Sequence, residues 1–204
     1  HDGKKVEAYD GREVAPSAAT DKLFLDLQGK PLPFIEVVVS GLSVGVPGTL
    51  SVLETAHKEH GKLPWATLMQ PAIQLAEQGF KLSPRLHRAL LEENYLINDP
   101  VAASYFYDAQ RKPHPVGFVL KNPELAAVLR DIAQRGSLSL KEGPVAEALV
   151  KKVRQHPSRP GSITLQDLAH YKAKKREPLC FDHAVQTSGK TYRLCGFPPP
   201  SSGS

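Results

Sequence analysis

Prolines are the sequence feature that most restricts how this chain can fold. The 204 residues include 18 prolines, and several stand just before stretches whose apolar residues recur every three or four positions. Proline suits the first turn of a helix, because its fixed φ matches that turn and its missing N–H would be unpaired there anyway. The pattern therefore predicts a succession of short amphipathic helices that begin near Pro47, Pro64, Pro84, Pro123 and Pro144.

Neighbouring residues refine these helices. Ser83, Asn122 and Thr164 precede helical stretches and have the short polar side chains that favour N-cap positions. Pro71 falls inside the helix predicted over residues 64–78, where it is expected to kink the helix or split it. A further short helix is predicted over residues 17–25, followed by a loop over residues 28–34.

Strand patterns appear near both ends of the chain. Polar and apolar residues alternate over positions 5–10 and stop at the turn signal Asp10-Gly11. Alternation returns after Tyr171, and Ser188-Gly189 marks a turn that predicts an antiparallel hairpin. We therefore predict an α+β fold, mostly helical, whose terminal strands belong to one sheet that other parts of the protein complete.

Charge and hydropathy exclude two classes of partner. The formal charge is 26 − 21 = +5, and the basic runs Lys151-Lys152-Val153-Arg154 and Lys172-Ala173-Lys174-Lys175-Arg176 lack interleaved aromatic residues. Both are interpreted as solvated helix ends, where cations oppose the dipole, and no nucleic-acid partner is expected. The longest apolar stretch, residues 34–46, contains Glu36 and is too short for a membrane span.

The residues alone do not identify a catalytic centre. His57 and His60 share a predicted helix face, but no local third ligand accompanies them, so no metal is expected. The sequence contains neither a G-x-S-x-G elbow nor a pair of carboxylates with diagnostic spacing. On this reading, the chain is either part of an enzyme or a helical interaction module.

A series of motifs is similar to those of one enzyme family. The run Asp10-Gly11-Arg12-Glu13-Val14-Ala15-Pro16 resembles the Asp-x-Arg-Glu-x-Ala-Pro signature of the gamma-glutamyltransferase (gamma-glutamyltranspeptidase) family. Further matches follow in the family's order: Val44-Gly45-Val46-Pro47-Gly48, Gly61 to Trp65, Pro71-Ala72-Ile73-Gln74-Leu75-Ala76 with Gly79-Phe80, Leu165-Gln166-Asp167-Leu168-Ala169-His170-Tyr171, and Phe197-Pro198-Pro199-Pro200-Ser201-Ser202-Gly203. The set covers nearly the whole chain, and its order makes the resemblance specific.

The resemblance implies a fold, a reaction and a cellular location. It implies a segment of the large subunit in an N-terminal-nucleophile hydrolase (αββα) fold, made by a precursor that cleaves itself. The expected reaction is attack by a threonine on gamma-glutamyl amides such as glutathione, and transfer of the group to water or an acceptor amine, a reaction that implies no cofactor. That threonine belongs to the small subunit, so no catalytic residue and no activity are expected in this chain alone. A periplasmic or secreted location is implied.

Some features leave the family assignment or the chain's limits open. A cephalosporin acylase or a capsule-processing transpeptidase is the rival assignment within the same framework. The start at His1, the single methionine Met69 and the proline-rich end suggest an internal piece of a longer chain. Ser204 departs from the family's second glycine at this point. We divide this single partial domain into residues 1–16 with a strand and substrate loop, a helical region over 17–175, and a hairpin with the proline-rich end over 176–204.

Arg12 and the two cysteines are the candidate site residues. Arg12 matches the family's arginine that binds the α-carboxylate of the gamma-glutamyl substrate; the alternative is a salt bridge with Glu13 or another acid. Cys180 and Cys195 are predicted to lie opposite each other in the C-terminal hairpin, close enough for a disulfide. The alternative for the cysteines is two half-buried free thiols.

Overall fold

The structure is a computed structural model that describes residues 1 and 3–201. The last residues of the proline-rich motif, Ser202 and Gly203, lie outside the described residues, as does Ser204 with its departure from the family pattern. Within the described part, helices predominate, and short strands occur between and after them. We number the helices and strands in chain order.

Eight α-helices occur in the described part of the chain. Proline occupies the first turn of four of them, as predicted for Pro84, Pro123 and Pro144, and the Ser83, Asn122 and Thr164 side chains accept hydrogen bonds from the backbone of the turn that follows. The helices are α1 (Phe34–Val38), α2 (Thr49–His60), α3 (Trp65–Gln78), α4 (Pro84–Glu92), α5 (Pro100–Phe106), α6 (Pro123–Arg135), α7 (Pro144–Arg154) and α8 (Leu165–His170).

The prediction of a helix over residues 17–25 is wrong, and of the two outcomes expected at Pro71 the split does not occur. Residues 17–25 form consecutive turns, in which an N–H group donates to the carbonyl three positions earlier, for example Leu23 to Thr20. Because Phe24 is about half exposed, no apolar face is buried there that would stabilise a helix. α3 is not split, because it continues through Pro71. Packing of α3 against α6 around the buried residues Ile73, Ala76 and Ala126 offsets the hydrogen bond that the proline removes.

The strands pair two by two, always antiparallel. β1 (Ala8–Asp10) pairs with β4 (Lys174–Arg176), β2 (Phe80–Lys81) with β3 (Val119–Leu120), and β5 (Leu179–Val185) with β6 (Lys190–Gly196). The β1–β4 pair brings together segments from near both ends of the chain, but the predicted hairpin strands, β5 and β6, form a separate two-stranded sheet in the described residues and do not share a sheet with β1. The predicted hairpin is β5–β6.

The second basic run does not end a helix, contrary to the prediction. α8 stops at His170, and Lys174–Arg176 form β4 instead. The physical reason is the partner strand, because Asp10 at the end of β1 pairs with Arg176, and Glu7 just before β1 pairs with Lys175. The first basic run does lie at the C-terminal end of α7.

The buried side chains form three apolar clusters. The cluster that bears on the candidate site consists of Val46, Ala146, Val153, Ile163, Leu168 and Tyr171, contributed by α7, α8 and the segments around them. A second cluster contains Leu82, Leu90, Tyr107 and Leu120, and the third lies between α3 and α6. In the described residues, no helix is long and apolar enough to cross a membrane.

Candidate substrate-binding site

Arg12 lies in the loop that follows β1, and both polar groups of its backbone are bonded. Its N–H donates to Oδ1 of Asp10 at 2.9 Å, and its carbonyl accepts a hydrogen bond from the Tyr171 hydroxyl at 2.8 Å. Asp10 comes from the end of β1, whereas Tyr171 follows α8, 159 positions away. Two side chains from opposite ends of the sequence therefore fix the backbone at this residue.

The same loop is closely packed at two glycines. A Cβ at Gly48 would fall on the hydroxyl of Tyr171, and one at Gly11 would overlap the side chain of Val52. Glycine is required at such positions because the backbone passes where a side chain has no room. The glycines of two family-like motifs thus bring residues 11–12, 48 and 171 into direct contact.

The guanidinium of Arg12 is exposed and only partly engaged. Its Nε donates to Oε1 of Glu13 at 3.0 Å, and about 58% of each side chain is accessible to solvent. This pair is the salt bridge considered as the alternative role of Arg12, and exposed pairs of this kind contribute little stability. Within the described residues, the two terminal nitrogens of Arg12 have no hydrogen-bond acceptor. The end of the planar fork can therefore bind a carboxylate with two parallel hydrogen bonds.

Asp10 connects the Arg12 loop to β4. It is buried, and its Oδ2 accepts a hydrogen bond from Nε of Arg176 at 2.7 Å while Oδ1 holds the Arg12 N–H. The backbone hydrogen bond from Arg12 and the neighbouring Arg176 outweigh burial and lower the pKa of Asp10 below its usual value. Asp10 is therefore ionised at neutral pH and paired on both oxygens.

A second acidic residue fixes the far end of the loop. Val14 and Val46 exchange backbone hydrogen bonds, and the N–H of Ser17 donates to Oδ1 of Asp167 at 3.0 Å. Asp167 also forms a capping box with Thr164 at the start of α8. Burial opposes ionisation, but the bonds from Ser17 and Thr164 outweigh it and lower the pKa of Asp167 to about 2.

A charged cluster lies beside this site on β1, α2 and β4. The ammonium of Lys175 bonds Glu7 at 2.7 Å and Glu59 at 2.6 Å, and the Tyr9 hydroxyl lies 2.6 Å from Glu59 and 2.7 Å from His60. The bonds from lysines lower the pKa of Glu7 to about 2. Glu7, Glu59 and His60 offer ligand atoms close enough together for a metal ion, but Lys175 already supplies the cation that the two carboxylates need.

The two histidines singled out in the sequence do not act together. Nε2 of His57 lies 2.8 Å from the carbonyl of Leu63, and its ring packs edge-on against Trp65. His60 instead bonds Glu7 at 3.0 Å. A shared helix face was therefore insufficient to bring the two side chains to one ligand.

Cys180 and Cys195 are paired positions of the β5–β6 hairpin and are joined by a disulfide in the structure. The hairpin strands are largely exposed and contact mainly each other. The cysteines therefore link the two strands of the hairpin. They are not among the residues that contact Arg12 in the described structure.

Sequence reasoning missed three residues that hold the Arg12 loop. The pattern Thr164-x-x-Asp167 is a capping-box signal that could have identified Asp167. Asp10 and Tyr171 belong to motifs that resemble those of the family, but these motifs do not indicate what the two side chains bond. The Tyr171 hydroxyl bonds a carbonyl 159 positions away, which no local pattern can indicate. A groove of about 890 Å³ occurs elsewhere, between residues 93–100 and 148–158, and Arg12 does not line it.

Comparison with known proteins places the chain in a family. The sequence model of the gamma-glutamyltranspeptidase family matches residues 1–204. Glutathione hydrolase 2 of Arabidopsis thaliana is 38% identical over 197 residues, which are 96% of this chain and 31% of that protein. The glutathione hydrolase proenzyme of Pseudomonas aeruginosa is 36% identical over 202 residues, 99% of this chain and 34% of the proenzyme. The chain thus spans about a third of the length of these relatives.

The fold agrees with this assignment. The crystal structure of Helicobacter pylori gamma-glutamyltranspeptidase superposes with a TM-score of 0.89 at 31% identity, covering 100% of this chain and 56% of that one. The mixed helix-and-strand architecture is therefore that of the N-terminal-nucleophile hydrolases, as predicted. Over its whole length, this chain belongs to the gamma-glutamyltranspeptidase family.

Proposed function

We propose that the chain is a large-subunit segment of a gamma-glutamyltransferase and that Arg12 binds the α-carboxylate of the gamma-glutamyl donor. The observation that supports this role is the geometry of Arg12, whose terminal nitrogens carry no acceptor among the described residues while its backbone is fixed on both sides. A planar guanidinium matches a carboxylate in two parallel hydrogen bonds. The names of the relatives, glutathione hydrolases, agree with a gamma-glutamyl donor.

The proposed reaction is acyl transfer in two steps. The hydroxyl of a threonine on the small subunit attacks the gamma-carbonyl, and its own α-amine takes the hydroxyl proton. The α-ammonium then gives that proton to the amide nitrogen of the donor, whose bond to the gamma-carbon breaks so that the amine leaves. Water or an acceptor amine then attacks the gamma-glutamyl enzyme and releases the threonine. Arg12 takes no part in bond making; it holds the donor so that the gamma-carbonyl reaches the nucleophile.

The remaining proposals concern processing and location. We infer that a self-cleaving precursor supplies both subunits and that this chain needs the small subunit for turnover. The protein is proposed to act in the periplasm or outside the cell. The Cys180–Cys195 disulfide supports that location, because disulfides persist in oxidising compartments.

The test of the Arg12 role uses the full-length processed enzyme and two donors. One is a gamma-glutamyl anilide, and the other is the 4-aminobutyryl anilide, which lacks only the α-carboxylate. Arg12→Ala is expected to lower kcat/KM for the first donor by a factor equivalent to about 2–5 kcal/mol, as for loss of one member of a close charge pair. It is expected to leave kcat/KM for the second donor nearly unchanged. Arg12→Lys keeps the charge and loses the planar guanidinium. Its effect on KM for the first donor, expressed as a free energy, is expected to exceed its effect on the free energy of unfolding.

Arg130→Ala is the matched control, because Arg130 of α6 also forms an exposed pair with an acid, Glu77 of α3. This variant is expected to leave kcat/KM unchanged for both donors. Equal losses for both donors in Arg12→Ala would show that Arg12 does not bind the carboxylate. A survey of acyl groups on the unmodified enzyme separates the gamma-glutamyl assignment from the acylase alternative.

A further inference from the structure

The Tyr171 hydroxyl is placed to fix the position of the Arg12 backbone, from which the side chain extends. It donates to the Arg12 carbonyl at 2.8 Å and makes no contact with the guanidinium, which bonds Glu13 instead. The hydroxyl therefore acts on the peptide group that carries the arginine, and any effect on a ligand passes through Arg12.

Tyr171 is itself rigidly held. Its ring is buried in the cluster that contains Val46, Ile163 and Leu168. The space beside its hydroxyl is closed by Gly48, where even a Cβ would overlap the oxygen. Burial raises the pKa of Tyr171, so the hydroxyl remains protonated and able to donate across the neutral pH range.

Asp10 holds the other side of the same residue. Its buried carboxylate accepts the Arg12 N–H at 2.9 Å and is anchored in turn by Arg176 at 2.7 Å. The backbone of Arg12 is thus fixed at its N–H by β1 and β4 and at its carbonyl by the segment after α8.

Holding both backbone groups of Arg12 matters because the arginine side chain is long and flexible. Its side chain has many rotamers, and a ligand that binds it must hold it in one of them. A fixed backbone removes the motion of the Cα from this ensemble, so a ligand that binds the guanidinium has only the side-chain rotamers left to order. A ligand whose carboxylate is short, as on an amino acid, depends strongly on the placement of that backbone.

We propose that Tyr171 is a positioning residue of the donor site: its hydroxyl fixes the Arg12 peptide so that the guanidinium meets the α-carboxylate of the donor. The inference rests on the proposed role of Arg12. It assigns to the tyrosine of the Asp-Leu-Ala-His-Tyr motif an effect on donor affinity, with no part in bond making and no contact with the substrate.

The experiment compares Tyr171→Phe with Tyr107→Phe in the full-length processed enzyme. Tyr107 is the matched control, because it is equally buried and its hydroxyl also donates to a backbone carbonyl, that of Leu90 at 3.2 Å, in a different cluster. The measured quantity is the ratio of kcat/KM for the gamma-glutamyl anilide to that for the 4-aminobutyryl anilide. Because both donors are measured on one preparation, the fraction of folded enzyme cancels from the ratio.

Tyr171→Phe is expected to lower this ratio about threefold to tenfold, the effect of one typical hydrogen bond, through a higher KM with kcat nearly unchanged. Tyr107→Phe is expected to leave the ratio unchanged. In the double variant with Arg12→Ala, Tyr171→Phe is expected to add nothing further, because the residue through which it acts is gone.

Three other outcomes would overturn the inference and identify where it fails. If Arg12→Ala abolishes the discrimination between donors while Tyr171→Phe leaves it intact, Tyr171 is only structural and the role of Arg12 stands. If Tyr171→Phe lowers kcat/KM equally for both donors, its effect does not pass through the carboxylate. If Arg12→Ala itself leaves the discrimination unchanged, the proposed function fails and the positioning role fails with it.

Discussion

Reducing the Cys180–Cys195 disulfide is expected to loosen the β5–β6 hairpin and leave the helical clusters intact. The bond closes a loop of 15 positions, and chain-entropy arguments assign about 3 kcal/mol to a loop of that length. The two strands contact mainly each other and are largely exposed, so little other packing supports them. Isolated two-stranded hairpins are at best marginally stable in water. The lost stability should therefore appear locally.

The assay is hydrogen exchange read by mass spectrometry on peptides from the hairpin and from α7. With about 3 kcal/mol removed, exchange of the hairpin amides is expected to accelerate by about 100-fold in reductant. Exchange in α7 should change little. The double variant Cys180→Ser, Cys195→Ser is the control, because it should exchange fast in the hairpin and show no response to reductant.

Two results would refute this reasoning. Two thiols titrating per chain in denaturant without reductant would show that the bond is not formed. Unchanged hairpin exchange upon reduction, with the cysteines shown to be free, would show that contacts other than the disulfide hold the strands together.

Two further predictions concern stability. The pKa of Asp167 is about 2 in the folded chain against 3.8 ordinarily, so the unfolded state binds more protons and stability should fall as the pH drops from about 5 to 2. Asp167→Asn should flatten that dependence in urea unfolding, and an unchanged slope would contradict the assignment. Leu168 is fully buried on α8, and Leu168→Ala should lower the free energy of unfolding by about 2–5 kcal/mol. Leu165 on the same helix is about half exposed, and Leu165→Ala should cost well under half as much. Equal losses of stability in the two variants would show that α8 is not anchored by Leu168.

Local signals determined which parts of the fold could be predicted. The helices that begin at Pro84, Pro123 and Pro144 were predicted because proline and the residue before it specify a helix start without reference to the rest of the chain. The helix predicted over residues 17–25 does not form because Phe24 is about half exposed and no apolar face is buried there. Whether such a face becomes buried depends on distant parts of the chain, which a short window of sequence does not contain.

The site could be predicted only in part for the same reason. Arg12 was found through the resemblance of its motif, and the exposed pair with Glu13 was anticipated from adjacency. β4 was mistaken for a helix end because the acids that oppose its cations lie far away in the sequence: Asp10 on β1, Glu7 just before β1, and Glu59 on α2. The role of Tyr171 depends on a hydroxyl and a carbonyl brought together by packing, so periodicity and composition could not indicate it.

The pairing of β1 with β4 also determines when, during synthesis, the Arg12 loop becomes ordered. Asp10 and its partner Arg176 are 166 positions apart, which corresponds to roughly 8 to 33 s of translation at about 5–20 residues per second. Helices α3 and α6 can pack once residue 135 has been made, well before Tyr171 and Arg176 are available. Arg12 is thus translated early and fixed late, and a ribosome that stalls before residue 171 would hold a chain with a helical core but no ordered donor loop.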